Sequence, residues 1–162
     1  MMNYDALLKK IADLKSKHDL VDFNFDIECI YDIGDLSTLL KNIVNSTLPD
    51  SGIIITEDYS KDRKRFVATL SNHSNSLQIF ADTDTDWLPD DFFEKLQSIP
   101  IIFNPDHRYY CINPAIGLTG QDAWYFCGTE KNLKQARQEG IPLVFPGENI
   151  TETKEFKEFN DI

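Results

Sequence analysis

The stretch Val21-Asp22-Phe23-Asn24-Phe25-Asp26-Ile27-Glu28-Cys29 decides the fold class. Every odd position is apolar and every even one polar, the period of a strand with one face buried and one in water. Upstream, the period is different. Tyr4, Leu7, Leu8, Ile11 and Leu14 recur at spacings of three and four, which predicts an amphipathic helix over residues 3–17. Downstream, Asp35 reads as the cap of a second helix with the stripe Leu36, Leu39, Leu40, Ile43 and Val44, stopped by the turn Pro49-Asp50-Ser51-Gly52.

Strands follow. The apolar run Gly52–Thr56 reads as a central strand, and Phe66–Leu70 with Leu77–Ala81 as a hairpin across Ser71–Asn75. A third helix is expected from Pro89, with Asp90 and Asp91 favoured by the dipole at its start, and its end is expected by Pro100. Ile101–Phe103, Tyr109–Ile112 and Ala123–Cys127 read as further strands. Thr129 caps a short helix that stops at Gly140, and Pro142–Phe145 reads as an edge strand. Hairpins dominate and strict βαβ alternation is absent. The order predicts one α+β domain over residues 1–146, an antiparallel or mixed sheet with about four helices packed largely on one face. Residues 147–162 hold five acids against two lysines and read as an acidic tail, either unfolded or docked through Phe156 and Phe159.

The 162 residues carry 27 Asp and Glu against 16 Lys and Arg, a net charge of −11. At 41% apolar the chain is too hydrophobic for disorder. The charge argues against nucleic acid and against an anionic membrane as partners, because both reward Lys and Arg. No run reaches the ~18 apolar residues of a membrane helix. Charges recur through the first fifteen residues where a secretory leader needs an unbroken apolar core, so a cytoplasmic location is expected. Cys29, Cys111 and Cys127 are odd in number and widely spaced, which excludes a disulfide framework and a Cys-x-x-Cys knuckle. No cofactor or metal is expected, since no glycine-rich phosphate loop and no zinc-protease motif occurs.

Asp82-Thr83-Asp84-Thr85-Asp86 resembles the start of a calcium loop, but the glycine required next is Trp87 and the closing glutamate is Phe93. Two readings remain: a solvated strand end leading into a capped helix, or a docking surface with Trp87 as anchor among Asp82, Asp84, Asp86, Asp90 and Asp91. Asp22, Asp26 and Glu28, on the solvated face of the first strand, extend the acidic set. The basic island Lys61-Asp62-Arg63-Lys64-Arg65 reads as a hairpin loop. Asp106-His107-Arg108-Tyr109-Tyr110-Cys111 is the one place where acid, imidazole, base and thiol are close in sequence. On a strand, however, His107 and Cys111 stand about 13 Å apart, beyond hydrogen-bond reach.

The charge pattern predicts a non-enzymatic domain that binds a basic protein. Bacterial immunity proteins, which neutralise a cognate basic toxin, share this size, acidity and α+β build, although no family motif is present. The alternative is an enzyme or small-ligand binder with a pocket at His107, Arg108, Tyr110 and Asp122.

Overall fold

The computed structural model describes residues 3–154 and 157. Its elements run α1 (Tyr4–Lys17), β1 (Val21–Asp26), α2 (Asp35–Thr47), β2 (Ile54–Tyr59), β3 (Arg65–Ser71), β4 (Ser76–Asp82), α3 (Asp90–Phe103), β5 (His107–Ile112), a short 3-10 turn (Pro114–Ile116), β6 (Asp122–Thr129), α4 (Glu130–Glu139) and β7 (Leu143–Val144). The fold is α+β. There are two sheets, in the orders β1-β6-β5-β7 and β2-β3-β4. The chain divides into two compact units, Met1–Asn24 with Arg108–Ile162, and Phe25–His107.

In the first unit, α1 and α4 supply Leu7, Ile11, Leu14, Leu133 and Ala136 to a core closed by Tyr110, Ile112, Phe126 and Leu143 from the strands. The other face of β5 and β6 carries Tyr109 and Tyr125. Phe23 meets Tyr109 edge-on at 5.0 Å and stacks on Tyr125 at 5.4 Å. α1 ends in a Schellman turn: Leu20 N–H donates to the Lys15 carbonyl at 2.9 Å, and Asp19 takes the left-handed φ of 54° that glycine usually supplies. Thr129 caps α4 through Asn132 N–H, and Gly140 ends that helix, both as the sequence predicts. β7 is an edge strand, paired antiparallel to β5.

The start of the acidic tail is built into this unit as far as it is described. Asn113, 1% exposed, donates from Nδ2 to the Ile150 carbonyl at 2.7 Å and to Thr153 Oγ1 at 3.2 Å. Arg137 grips Glu148 with two hydrogen bonds, of 2.6 and 2.9 Å. Phe156 and Phe159 lie outside the described residues.

In the second unit, β2, β3 and β4 form an antiparallel meander with Phe66 opposite Ala81 and Tyr59 opposite Phe66. Phe66, Ala68, Leu70, Leu77, Ile79 and Ala81 point inward, towards the apolar stripes of α2 and α3. Three expectations fail here. The apolar run after Gly52 forms an edge strand, not a central one: β2 lies at the end of the order β2-β3-β4, and of its two isoleucines Ile55 is buried while Ile54 is 66% exposed. α3 does not stop at Pro100 but runs through it to Phe103, so Ile101–Phe103 are the last turn of a helix and not a strand. Proline near a helix end removes one hydrogen bond, and the burial of Ile99 and Pro100 offsets that loss. Asp35 is the first helical residue of α2 and not its cap. The cap position is Gly34, at a φ of 100°.

Candidate functional site

The acidic surface of the second unit is assembled by backbone pairing. An isolated antiparallel bridge joins Glu28 to Trp87. Beside it, Cys29 N–H and Ile30 N–H both donate to the Asp86 carbonyl, at 3.0 and 3.1 Å, and Leu88 N–H donates to the Ile27 carbonyl at 2.8 Å. The segment after β1 is thereby fixed against the segment before α3. Asp26 Oδ1 receives Glu28 N–H at 2.8 Å, and the Tyr31 hydroxyl donates to the Glu28 carbonyl at 3.0 Å.

These two joined segments leave three large side chains in water: Tyr31 at 67%, Trp87 at 45% and Ile33 at 40% exposure. Asp26, Glu28, Asp32 and Asp86 belong to the same two segments, with no Lys or Arg between His18 and Lys41 or between Arg65 and Lys95. Partial desolvation and the negative field of Glu28, Asp86 and Asp26 hold the Tyr31 phenol above its ordinary value. Among the described residues, the carboxylates of Glu28, Asp84, Asp86 and Asp90 enter no ion pair.

Asp82 and Asp91 are different. Arg65 Nε donates to Asp82 Oδ1 at 2.9 Å, while Nη1 and Nη2 grip the two oxygens of Asp91 at 2.8 and 2.9 Å. This clamp ties β3 to the end of β4 and to the first turn of α3. The loop before β3 is also hydrogen-bonded to the residue that follows β4. Thr83 N–H donates to the Lys64 carbonyl at 2.9 Å, and its hydroxyl donates to the Arg63 carbonyl at 2.9 Å. The five aspartates of residues 82–91 are therefore not one surface: Asp82 and Asp91 are structural, and Asp86 joins Glu28 and Trp87.

Hydrogen bonds from Arg65 hold the Asp91 carboxyl below its ordinary 3.8, against a smaller upward push from burial. A folded-state value below the unfolded one means stability that is fully present above that ordinary value and lost as pH falls through the folded value. Melting temperatures across about pH 2–5 should fall on this limb, and Arg65→Gln should make the limb shallower. An acid limb of unchanged slope in the variant would contradict the clamp.

In the first unit, Asp22 does not stand free on a solvated face. Lys15 Nζ donates to Oδ1 at 2.9 Å and Trp124 Nε1 to Oδ2 at 2.8 Å. Burial pushes the Asp22 carboxyl up, but these two bonds outweigh it and the net shift is downward. A cleft of about 270 Å³ lies there, lined by Asp22, Asn24, Asp122, Trp124 and Leu118 among others. Trp124 thus has a structural bond of its own, as its place within an apolar strand suggests.

The other candidates are placed as follows. Tyr110 is buried in the core with its ring 4.8 Å from that of Phe145. Burial raises its phenol first, the negative field of Glu130 adds to that, and Arg108 opposes them. Asp122 lines the cleft beside Asp22, whereas His107 lines a cleft within the second unit. Burial pushes the thiols of Cys29 and Cys111 up to about 11 and that of Cys127 to about 12, so all three are held as protonated thiols near neutral pH. Among the described residues no three His, Cys, Asp or Glu side chains gather as metal ligands, and no helix is long and apolar enough to cross a membrane.

Sequence reasoning missed Tyr31 and Ile33. They sit in the aperiodic segment Ile30–Gly34, where neither helical nor strand spacing marks them as inward or outward. Their one signal is two large apolar residues alternating with aspartates outside any element. The chain matches no known protein-family model, no curated protein and no solved structure.

Proposed function

We propose that this chain is a non-enzymatic binding protein that docks a basic protein through the surface of Asp26, Glu28, Tyr31, Ile33, Asp86 and Trp87. One observation carries the reading: Tyr31, Ile33 and Trp87 stand exposed inside an acidic field that no cation of the described residues neutralises at Glu28 or Asp86. Aromatic anchors within a rim of charge are the usual build of an interface, since the rings supply buried area and the rim supplies steering. A basic toxin domain, held by its immunity protein inside the cell that makes it, has the charge this surface requires.

The test uses the product of the adjacent gene as partner. Association should slow as ionic strength rises, because rim charges act on the on-rate. The double variant Glu28→Gln, Asp86→Asn should slow association by about 3- to 10-fold with little change in dissociation. Asp84→Asn with Asp90→Asn should have a smaller effect, as neither belongs to the backbone pairing that joins Glu28 and Asp86 to Trp87. Absence of a stable complex even at low salt would sink the reading.

A further inference from the structure

We propose that a second site, a cleft within the unit Phe25–His107, takes an alkylammonium or guanidinium group. The cleft has a volume of about 470 Å³ and lies where α2 and α3 both end, lined by Thr47, Leu48, Asp50, Phe103, Asn104 and His107 among others. That volume falls within the range of small-ligand sites.

The chemistry of the lining selects a cation. A helix leaves its last carbonyls without intrahelical donors, and its C-terminal end carries negative partial charge. Lys, Arg or His in the last turn can answer this. Neither α2 nor α3 has a basic residue there. The caps satisfy part of the demand: Leu48 N–H donates to the Val44 carbonyl and Asn104 N–H to the Pro100 carbonyl, each at 2.8 Å. The two capping residues also have their own carbonyls engaged, by Ser51 N–H at 3.2 Å and His107 N–H at 2.9 Å.

Two helix ends of the same sign therefore meet at one cavity, and the exposed carboxylate of Asp50 adds to the same potential. Among the described residues no Lys or Arg lines the cavity, and His107 is the one titratable base there. Phe103 offers an apolar wall for an alkyl stem, and the Asn104 side chain offers an amide oxygen to an N–H donor. The occupant that matches is a short alkyl chain ending in an ammonium or guanidinium. A free amine and a Lys or Arg side chain present the same group.

The experiment is an amide-resolved NMR titration of the full chain with n-butylammonium chloride, and separately with N-acetyl-lysine methylamide. n-Butanol and sodium chloride are the controls. Saturable shifts should appear at Leu48, Asp50, Asn104 and His107 with a dissociation constant in about the millimolar range, and the controls should give none. Asp50→Asn should weaken binding by about 2- to 5-fold. Asn104→Lys, which places a cation at the α3 cap, should abolish saturable binding and raise the melting temperature.

Binding of the blocked lysine along with the amine would show that a protein side chain is admitted. Binding of the amine alone would indicate a small-molecule ligand. Both results uphold the site. Equal shifts with n-butanol, an affinity unchanged in Asp50→Asn, or a response confined to Tyr31 and Trp87 would each overturn it.

Discussion

Trp87→Ala should raise the dissociation rate of the complex with the basic partner by about 30- to 1,000-fold, equivalent to about 2–4 kcal/mol, while the association rate stays nearly constant. The Trp87 backbone is pinned by the bridge to Glu28 and its N–H donates to Thr85 Oγ1 at 3.3 Å, yet its side chain is 45% exposed. A ring whose backbone is held in place loses little conformational freedom on binding, and that limits the ordering cost of association. Its removal leaves Glu28 and Asp86 untouched, so the steering field survives and the loss falls on dissociation. Trp124→Phe is the control. It removes the indole N–H bond to Asp22 and should lower stability without changing partner kinetics. Dissociation kinetics by surface resonance decide the matter, and a Trp87→Ala off-rate within about twofold of the parent would remove Trp87 as the anchor.

The two effects separate because charge and ring act at different stages of the encounter. Charge acts before contact, over a distance of about 10 Å at ordinary salt, and the ring acts only once water has been expelled. The uneven charge of the chain takes on a definite meaning in this light. Part of the excess between Asp82 and Asp91 is consumed by Arg65, in contacts that hold β3, β4 and α3 together. On the proposed reading, steering draws on the carboxylates of Glu28, Asp84, Asp86 and Asp90, which enter no ion pair among the described residues.

Much of the fold was legible where a local pattern and the tertiary outcome agree. α1 and the β3–β4 hairpin are set by periods of 3.6 and 2, and Thr129 and Gly140 bound α4 by capping chemistry that acts within one turn, whereas β1 stops at Asp26, three residues short of the alternation that ends at Cys29, and leaves Val21 42% exposed. The failures share a cause. Ile101–Phe103 are β-branched and aromatic and follow a proline, so local propensity favours a strand. The buried Ile99 and Pro100 carry the helix onward nonetheless. Gly52–Thr56 looks central because it is apolar, but inwardness depends on which residue faces the helices, and Ile55 alone does so. The candidate surface divides in the same way. Trp87 among aspartates is visible in the sequence. The exposed Tyr31 and Ile33 are not, because a bridge spanning nearly sixty residues brings their segment to that of Trp87.

Glu57 shows the same long-range dependence most sharply, and its removal should cost about 2–3 kcal/mol of stability in Glu57→Ala. The backbone at the start of α2 turns through a φ of 100° at Gly34, a conformation that L side chains rarely adopt. Glycine meets that need but brings no side chain to cap the helix. The orphan N–H groups are answered from β2 instead: Glu57 Oε2 accepts from Gly34 N–H at 2.8 Å, and Oε1 accepts from Ser37 N–H at 2.7 Å. A carboxylate at a helix N-terminus also meets the positive end of the dipole. The alanine variant removes both bonds and leaves two part-buried donors, whereas Glu57→Gln keeps one acceptor oxygen without the charge and should lose about half as much. Urea denaturation midpoints should rank the parent above Glu57→Gln and Glu57→Ala lowest. Amide exchange at Gly34 and Ser37 should quicken in the same order, because the effect originates at those two donors. Unchanged exchange at Ser37 in the alanine variant would show that α2 is capped by something other than Glu57.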